Sequence, residues 1–255
     1  YTIGNMIDNE TIRQDFSIYE QTRNGNPPVY FDSACMTLRP NSVVQALSAY
    51  YYEHSSCAER SDHWFAEQTE AKVDQSRKNI AQFIKTKPEN IVFTRNTTEG
   101  INLLAFQFRL NPGGVVIISD KEHNSNFLPW KQLEQEGLIT LHIVQTQPEN
   151  GALDLQKLET VLKDVTTDKP KLVSIFHTSN FDGTTNPIET IAAKAHEYEF
   201  SIHVDGAQGI PHGPIYPETI GLDFLTFSGH KMLGPTGIGV FWSTSEHLRT
   251  MQPLI

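Results

Sequence analysis

The chain has 255 residues, of which 38% are hydrophobic and 20% are charged. These values exclude a disordered chain and are typical of a folded protein with one large α/β domain or two small ones. The formal net charge of -10 disfavours binding to nucleic acid or to anionic membranes, because the average field of the protein repels phosphate groups. No apolar run reaches the roughly 20 residues that span a bilayer, so no membrane partner is predicted.

A few residues bear on compartment and metal content. The segment Tyr1–Glu10 lacks the basic and apolar blocks of a signal peptide, which favours a cytoplasmic protein. Cys35 and Cys57 are the only cysteines, too few for a disulfide framework, and we expect reduced thiols of which at least one is buried. The ten histidines form no metal-binding pattern, so no metal site is predicted.

An N-terminal helical arm is predicted over residues 1–27, since Asn26-Pro27-Pro28 separates it from the body of the chain. Helical spacing of apolar residues predicts helices at Glu70–Ile84, Leu155–Lys163 and Ile188–Glu199. The predicted strands are Ile91–Thr94, Val115–Ser119, Leu141–Val144, Leu172–His177, Ser201–Asp205, Phe224–Ser228 and Gly237–Trp242. Strands and helices that alternate in this way indicate an α/β fold, a mainly parallel sheet sandwiched by helices.

Polar residues directly after the predicted strands are the candidate ligand-binding groups, because ligands of open parallel sheets bind beyond the carboxyl ends of the strands. The run from Asn96 to Asn102 has the composition of a helix start, with threonine at the cap, glutamate in the first turn and a glycine. Its free N–H groups and the hydroxyls of Thr97 and Thr98 would suit a phosphate. An ordinary capped helix is the alternative.

Two further strand ends carry groups that suit an aromatic cofactor. Asp205 ends a buried strand, where a carboxylate is costly unless it is paired. A pyridinium nitrogen would be such a partner, since an ionised aspartate keeps the ring protonated and electron-withdrawing. A structural aspartate that caps the next turn is the alternative. His123 would stack on such a ring and exchange protons with a substrate, or else be a solvated loop residue.

Lys231 comes in Ser228-Gly229-His230-Lys231, directly after an apolar strand, where a lysine is uncommon. Desolvation and a nearby cationic ring would favour its neutral amine, which condenses with an aldehyde. A surface lysine at a strand exit is the alternative.

Taken in order, several motifs resemble those of the class V aminotransferase group of fold-type I enzymes, which use pyridoxal 5′-phosphate (PLP), and most closely those of cysteine desulfurases. The resemblance runs from about Val29 to the end of the chain. The motifs are Tyr30-Phe31-Asp32-Ser33-Ala34, Thr97-Thr98-Glu99-Gly100-Ile101-Asn102, Glu122-His123, His177-Thr178-Ser179-Asn180, Asp205-Gly206-Ala207-Gln208 and Ser228-Gly229-His230-Lys231.

The resemblance implies a role for each matching residue. Lys231 would hold the cofactor as a Schiff base and shuttle the α-proton, while His123 would stack on the ring. Asp205 would pair with the pyridine nitrogen and Gln208 with the phenolic oxygen. Asn180 would lie near that oxygen or the substrate carboxylate. The residues that would hold the phosphate are Thr97, Thr98, Ser228 and His230.

In the desulfurases, a cysteine bound to the cofactor loses its sulfur to a protein thiolate, which gives alanine and a protein persulfide. The resemblance therefore implies L-cysteine as the substrate, a sulfur-acceptor protein, a homodimer and products that feed iron–sulfur cluster assembly. Residues 28–255 would be the PLP-binding large domain. The nucleophilic cysteine would lie beyond residue 255, in a C-terminal small domain that this chain ends before.

Two segments depart from the family pattern. Ala58-Glu59-Arg60-Ser61 stands where the family commonly has histidine-arginine-glycine, so the role of that segment does not carry over. Cys35-Met36 stands where relatives have small residues, in a loop where Ala34 and Cys35 would border the substrate. A thiol with no cationic neighbour in sequence is usually inert, which argues against a catalytic Cys35.

Two other functions stay open. A different reaction at the α-carbon, such as transamination, elimination or epimerisation, would use the same cofactor site. A non-catalytic scaffold would keep the fold, but it has no physical need to keep Lys231, Asp205 and His123.

Overall fold

Residues 8–253 are described by this computed structural model, and they divide into two compact units. The first unit comprises residues 8–76 and 230–236, and the second comprises residues 77–229 and 237–253. Residues 1–7 of the predicted arm lie outside the described residues, as do residues 254 and 255. None of the described helices combines the length and the apolar composition needed to cross a membrane.

One seven-stranded sheet organises the second unit. Its strands are β1 (Ile91–Thr94), β2 (Gly114–Ser119), β3 (Ile139–Val144), β4 (Lys171–Phe176), β5 (Ser201–Asp205), β6 (Phe224–Ser228) and β7 (Gly239–Ser243). Their order across the sheet is β1-β7-β6-β5-β4-β2-β3. The strands β2 to β6 pair in parallel, whereas β7 is antiparallel to both β6 and β1. The predicted α/β fold with a mainly parallel sheet is therefore confirmed.

Helices connect the strands of the second unit, and the first two of the described helices lie near the start of the first unit. The helices are α1 (Asn9–Gln14), α2 (Asn41–Glu53), α3 (Trp64–Phe83), α4 (Thr97–Leu110), α5 (Asn124–Gln135), α6 (Leu155–Asp164), α7 (Ile188–Glu197), α8 (Pro217–Ile220) and α9 (Ser245–Thr250). In the first unit, the side-chain oxygen of Asn41 accepts hydrogen bonds from the N–H and the hydroxyl of Ser17, at 3.0 and 2.7 Å. This contact ties the segment after α1 to the start of α2.

The core of the second unit lies between the sheet and its helices. Every residue of β2 is buried, as expected for a strand covered on both faces. Leu104 and Phe108 of α4 and Trp130 of α5 belong to the same buried cluster, where Phe108 and Trp130 meet edge to face at 5.7 Å. Burial of each such side chain stabilises the fold by about 1.5–3 kcal/mol.

Most of the predicted elements are confirmed within a few residues, and the differences have local causes. The helix predicted at Glu70–Ile84 begins at Trp64, because Nδ1 of His63 accepts the N–H of Ala66 at 3.3 Å and acts as a cap. The last strand begins at Gly239 rather than at Gly237, since Gly237 adopts a left-handed φ of 82° in the turn before it.

The prediction of at least one buried thiol is wrong. Cys35 and Cys57 are both free and both exposed. Cys35 lies in a turn, where its N–H donates to the carbonyl of Asp32 at 3.1 Å, and Cys57 lies in the irregular segment after α2. Neither belongs to a helix or strand with a buried face, so apolar character alone does not bury them.

Strand β7 passes so close to the start of α4 that only glycine fits at residue 239. A Cβ atom there would lie 2.6 Å from the Cα of Asn96 and 2.9 Å from its backbone nitrogen. Asn96 is the cap of α4, because its Oδ1 accepts the N–H of Glu99 at 2.9 Å. Gly239 therefore sets where the first turn of α4 lies.

We predict that Gly239→Ala lowers the free energy of unfolding by about 1–3 kcal/mol, since the methyl group must displace backbone atoms. Gly213→Ala is the matched control, because its backbone is extended and a Cβ there meets no atom within 4 Å. That variant should stay within about 0.5 kcal/mol of the native protein. Urea unfolding measures both, and equal stabilities of the two variants would contradict the packing argument.

Candidate active site

The start of α4 and the end of β6 meet through hydroxyl groups. The N–H of Thr97 donates to Oγ of Ser228 at 2.8 Å, and the two side-chain oxygens lie 2.6 Å apart. Both residues are buried, at 5% and 3% exposure. Two of the residues predicted to hold a phosphate are therefore in direct contact, at the amino end of a 14-residue helix.

His123 and Thr98 are joined by a residue that the sequence reasoning missed. The hydroxyl of Thr98 donates to Oγ of Ser125 at 2.8 Å, and that oxygen lies 3.0 Å from Nδ1 of His123. Nδ1 also accepts the N–H of Ser125 at 3.1 Å, so His123 caps α5 while its ring stays exposed. The sequence signal for this contact was a hydroxyl residue, Ser125, two positions after a histidine at the start of a helix.

Asp205 and Gln208 lie at the carboxyl end of β5, where both are buried. Oδ1 of Asp205 accepts the N–H of Ala207 at 2.9 Å, and the N–H of Gly206 donates to the carbonyl of Thr226 at 2.8 Å. Thr226 is also the register partner of Asp205 on β6, two residues before Ser228. The predicted carboxylate therefore ends its strand beside the strand that carries Ser228.

Asn180 is exposed in the loop that follows β4. The loop is closed by a bridge between Thr178 and Thr185. It is anchored by Lys121, whose ammonium lies 2.5 Å from Oδ2 of Asp182. These contacts hold the loop that carries Asn180 after the carboxyl end of β4, and the role of Asn180 stays a prediction.

A line of buried polar side chains links α5 to three strands. Oγ of Ser174 lies 2.6 Å from Oδ1 of Asn126 and 2.7 Å from Nδ1 of His203, whose Nε2 lies 2.9 Å from Oγ1 of Thr226. Trp130 Nε1 also donates to Oδ1 of Asn126, at 3.2 Å, which identifies that atom as the amide oxygen. Ser174 must then donate to Asn126 and accept from Nδ1 of His203, and in a neutral imidazole Nε2 accepts the hydroxyl of Thr226.

The same line begins at Glu122, which the sequence reasoning quoted only as part of a motif. The amide of Asn126 donates to Oε2 of Glu122 at 2.7 Å, and the N–H of Phe176 donates to Oε1 at 3.2 Å. Burial, first of all, raises the pKa of Glu122 to about 8, and the charge of Asp205 adds to the effect. Glu122 therefore belongs to the line of buried polar side chains as well as to the motif.

In the first unit, the segment that carries Lys231 is held by Thr37. The carbonyl of His230 accepts from the N–H and the hydroxyl of Thr37, at 3.0 and 3.1 Å, and the N–H of Leu233 donates to that hydroxyl at 2.9 Å. Burial lowers the pKa of His230, and the charges of Lys231 and Arg39 lower it further. Lys231 itself is half-buried.

The residues predicted to border the substrate lie in the same unit. Ala34 and Cys35 are exposed, in a turn that ends before Thr37. The hydroxyl of Tyr30 donates to the carbonyl of Met36 and closes this turn. Their contact with a substrate stays a prediction.

The chain matches the class-V aminotransferase family over residues 29–255. It is 38% identical over 247 residues to a probable cysteine desulfurase of Halalkalibacterium halodurans, a match that covers 95% of this chain and 60% of the relative. A cysteine desulfurase of Klebsiella pneumoniae is 36% identical over 248 residues, with 96% and 60% covered. The apo cysteine desulfurase of Thermococcus onnurineus has a TM-score of 0.88 at 32% identity, with 99% of this chain and 61% of that chain covered. The chain thus spans about three fifths of the length of these relatives.

We predict that His203 makes the protein less stable in acid. Burial lowers its pKa to about 3, so below the ordinary value of 6.5 the unfolded chain binds a proton that the folded chain does not. Unfolding free energy should therefore fall by about 2 kcal/mol between pH 7 and pH 5 on account of this residue. The variant His203→Gln should be less stable at pH 7, and its unfolding free energy should lack the fall that His203 causes between pH 7 and pH 5.

Urea unfolding at pH 7 and pH 5 measures the effect, and the difference between the variant and the native protein isolates residue 203. His212→Gln, at an exposed position, is the matched control and should follow the native profile. If the unfolding free energy changes between pH 7 and pH 5 by the same amount in His203→Gln and in the native protein, the imidazole is not held neutral.

Proposed function

We propose a pyridoxal-phosphate-dependent activity for this chain because it belongs to the class-V aminotransferase family. One observation within the second unit carries the proposal. The hydroxyls of Thr97 and Ser228, which we call the hydroxyl cradle, meet at the start of α4. The buried Asp205 ends β5, and His123 lies at the start of α5. The cradle suits a phosphate, and the carboxylate suits a protonated pyridine nitrogen. Residues 28–255 would form the cofactor-binding domain, with residues 1–27 as an arm.

The hydroxyl cradle keeps one donor for a phosphate. Oγ of Ser228 already accepts the N–H of Thr97, and the contact between the two hydroxyls uses only one proton. The other hydroxyl proton is available for a phosphate oxygen. The amino end of α4 adds the positive end of the helix dipole, which further favours an anion.

The remaining residues would complete the cofactor site. Thr98 and His230 would also bind the phosphate, Gln208 would donate to the phenolic oxygen, and His123 would lie flat on the ring. Because Nδ1 of His123 is used as a cap, its exposed ring face is held at a fixed angle to α5. When bound, the cofactor stabilises negative charge at the α-carbon of an amino-acid substrate.

Lys231 is the residue that we expect to hold the cofactor covalently and to carry a proton to and from the α-carbon. Only two residues separate it from Ser228 along the chain. The two hydrogen bonds from Thr37 to the carbonyl of His230 restrain the backbone beside it. A restrained backbone reduces the entropy that the side chain loses when it reacts.

L-Cysteine is the proposed substrate, because the relatives named above are cysteine desulfurases. Its C–S bond breaks, a thiolate takes the sulfur as a persulfide, and the carbon skeleton takes a proton and leaves as alanine, so that no external oxidant is needed. Asn180 would bind the substrate carboxylate, and Ala34 and Cys35 would border it. We further propose a cytoplasmic homodimer that passes sulfur to an acceptor protein for iron–sulfur cluster assembly.

We predict that Lys231→Ala abolishes the visible absorbance that the native protein gains on incubation with PLP, because no amine remains to bind the aldehyde. Borohydride reduction of the native protein should leave the label on one lysine, residue 231, in a peptide map. Lys157→Ala, which removes a lysine that is 52% exposed on α6, is the control and should retain both signals. A label on any other lysine would overturn the assignment.

The second prediction concerns the reaction, measured on the protein expressed from its complete gene. L-Cysteine with a thiol reductant should give alanine and sulfide in equal amounts. His123→Ala should lower the rate by about 10²–10⁴-fold, the usual contribution of a positioned acid or base, whereas the exposed His212→Ala should not. Keto acid without sulfide would indicate another reaction at the α-carbon, and a protein that stays colourless with PLP would indicate a scaffold.

A further inference from the structure

The carboxyl group of Glu122 lies deep among protein atoms with neutral partners. The residue keeps some solvent contact, but its carboxyl oxygens meet the hydroxyl of Ser119 at 2.6 Å, the N–H of Phe176 and the amide of Asn126. None of the ion pairs among residues 8–253 includes Glu122. A charged carboxylate in such surroundings has donors but no countercharge, and its desolvation is costly.

A second carboxyl group, that of Asp205, lies on β5, which pairs with the strand β4 that carries Phe176. Phe176, whose N–H donates to Glu122, is the register partner of Asp205 on β5. The carbonyl of Asp205 in turn accepts the N–H of His177 at 2.9 Å. The charge of Asp205 acts on Glu122 in the same direction as burial, toward the protonated acid.

Within residues 8–253, the groups that hydrogen-bond to the carboxyl oxygens of Glu122 are all uncharged. The titratable side chains on the turn before α5, on α5, on β4 with the residue after it, and on β5 are Asp120, Lys121, His123, Lys131, Glu134, Lys171, His177, His203 and Asp205. Lys131 pairs with Glu134, and Lys171 pairs with Glu199. The ammonium of Lys121 is taken by Asp182, at 2.5 Å, and the ring of His123 is exposed. Burial lowers the pKa of both His177 and His203, so each is neutral near pH 7.

The hydrogen-bond partners of Glu122 have room for a proton. A hydroxyl both donates and accepts, so a proton on Oε1 fits the 2.6 Å contact with Ser119. The N–H of Phe176 and the amide of Asn126 can still donate to the lone pairs of the neutral acid. A neutral carboxyl group therefore keeps every hydrogen bond that the structure shows.

We propose that Glu122 carries a proton in the working protein, so that the two carboxyl groups hold one negative charge and that charge lies on Asp205. The inference rests on the proposed function, since Asp205 is the residue expected to pair with the ring nitrogen of the cofactor. Glu122 is then a positioning residue. It acts through Asp205 and through the backbone of Phe176, and it keeps the neighbouring carboxylate ionised by staying neutral itself.

Infrared difference spectra of the cofactor-free protein test the protonation directly. The native protein at pH 6 should show the carbonyl stretch of a protonated acid, which Glu122→Gln lacks and which disappears as pH rises through about 8. Asp205→Asn should lower that midpoint, because a like charge has been removed. Glu149→Gln, at an exposed position, is the control and should leave the band unchanged.

Stability gives a second readout. The raised pKa means that the folded protein keeps a proton that the unfolded chain loses above its ordinary value of 4.5, so this contribution is full below pH 4.5 and is lost as pH rises to about 8. Glu122→Gln stays neutral and can donate to Ser119, although it loses the acceptor for Phe176. Between pH 5.5 and pH 9, the unfolding free energy of the native protein should therefore fall relative to that of Glu122→Gln.

The outcomes separate this inference from the proposed function. A band that persists in Glu122→Gln, a midpoint that Asp205→Asn leaves in place, or equal pH profiles of stability would overturn the role of Glu122. Failure of the native protein to gain visible absorbance with PLP, together with a normal infrared titration, would overturn the cofactor assignment and remove the catalytic meaning of the pair. Both sets of measurements use the same purified chain.

Discussion

The line of hydrogen bonds from Glu122 through Ser174 and His203 to Thr226 fixes the carboxyl edge of the sheet in the second unit. These groups lie inside an otherwise apolar layer, where an unpaired polar atom costs about 1–3 kcal/mol. A shift of one residue in the pairing of β4 with β5 would turn Ser174 or His203 to the other face and break the line. The polar line therefore specifies the strand register, and with it the level at which Asp205 and Ser228 leave the sheet.

Burial acts in opposite directions on the two ends of this line. It lowers the pKa of His203 and raises that of Glu122, and the result at pH 7 is the same, a neutral group. Because these two buried groups are neutral, the charged residues at this edge are those that face the proposed ligand or the solvent. The pair of Lys121 with Asp182 is an example of the second kind, since it lies in the loops beyond the strands. The negative charge proposed for Asp205 then lies where the cofactor ring is proposed to bind.

Much of the fold was predictable because its signals are local. Apolar runs gave the strands, and the polar residues that follow them gave Thr97, Asp205 and Ser228, which the structure places at the carboxyl edge. The bond of Thr97 to Ser228 was not predictable, since it joins residues 131 positions apart and depends on α4 lying beside β6. The exposure of Cys35 was missed for a related reason, because burial depends on which segments pack together.

Glu122 and His123 are consecutive residues whose side chains lie in opposite environments, the carboxyl group in the protein interior and the imidazole in solvent. The chain leaves β2 at Ser119 and begins α5 at Asn124, so these two residues occupy the short turn between strand and helix. The carboxyl group of Glu122 turns inward to Phe176, while the cap at His123 holds its imidazole outward. The inward group anchors the turn from which the outward group projects. A protonated Glu122 can make that anchor without placing a second negative charge behind the ring that His123 is proposed to cover.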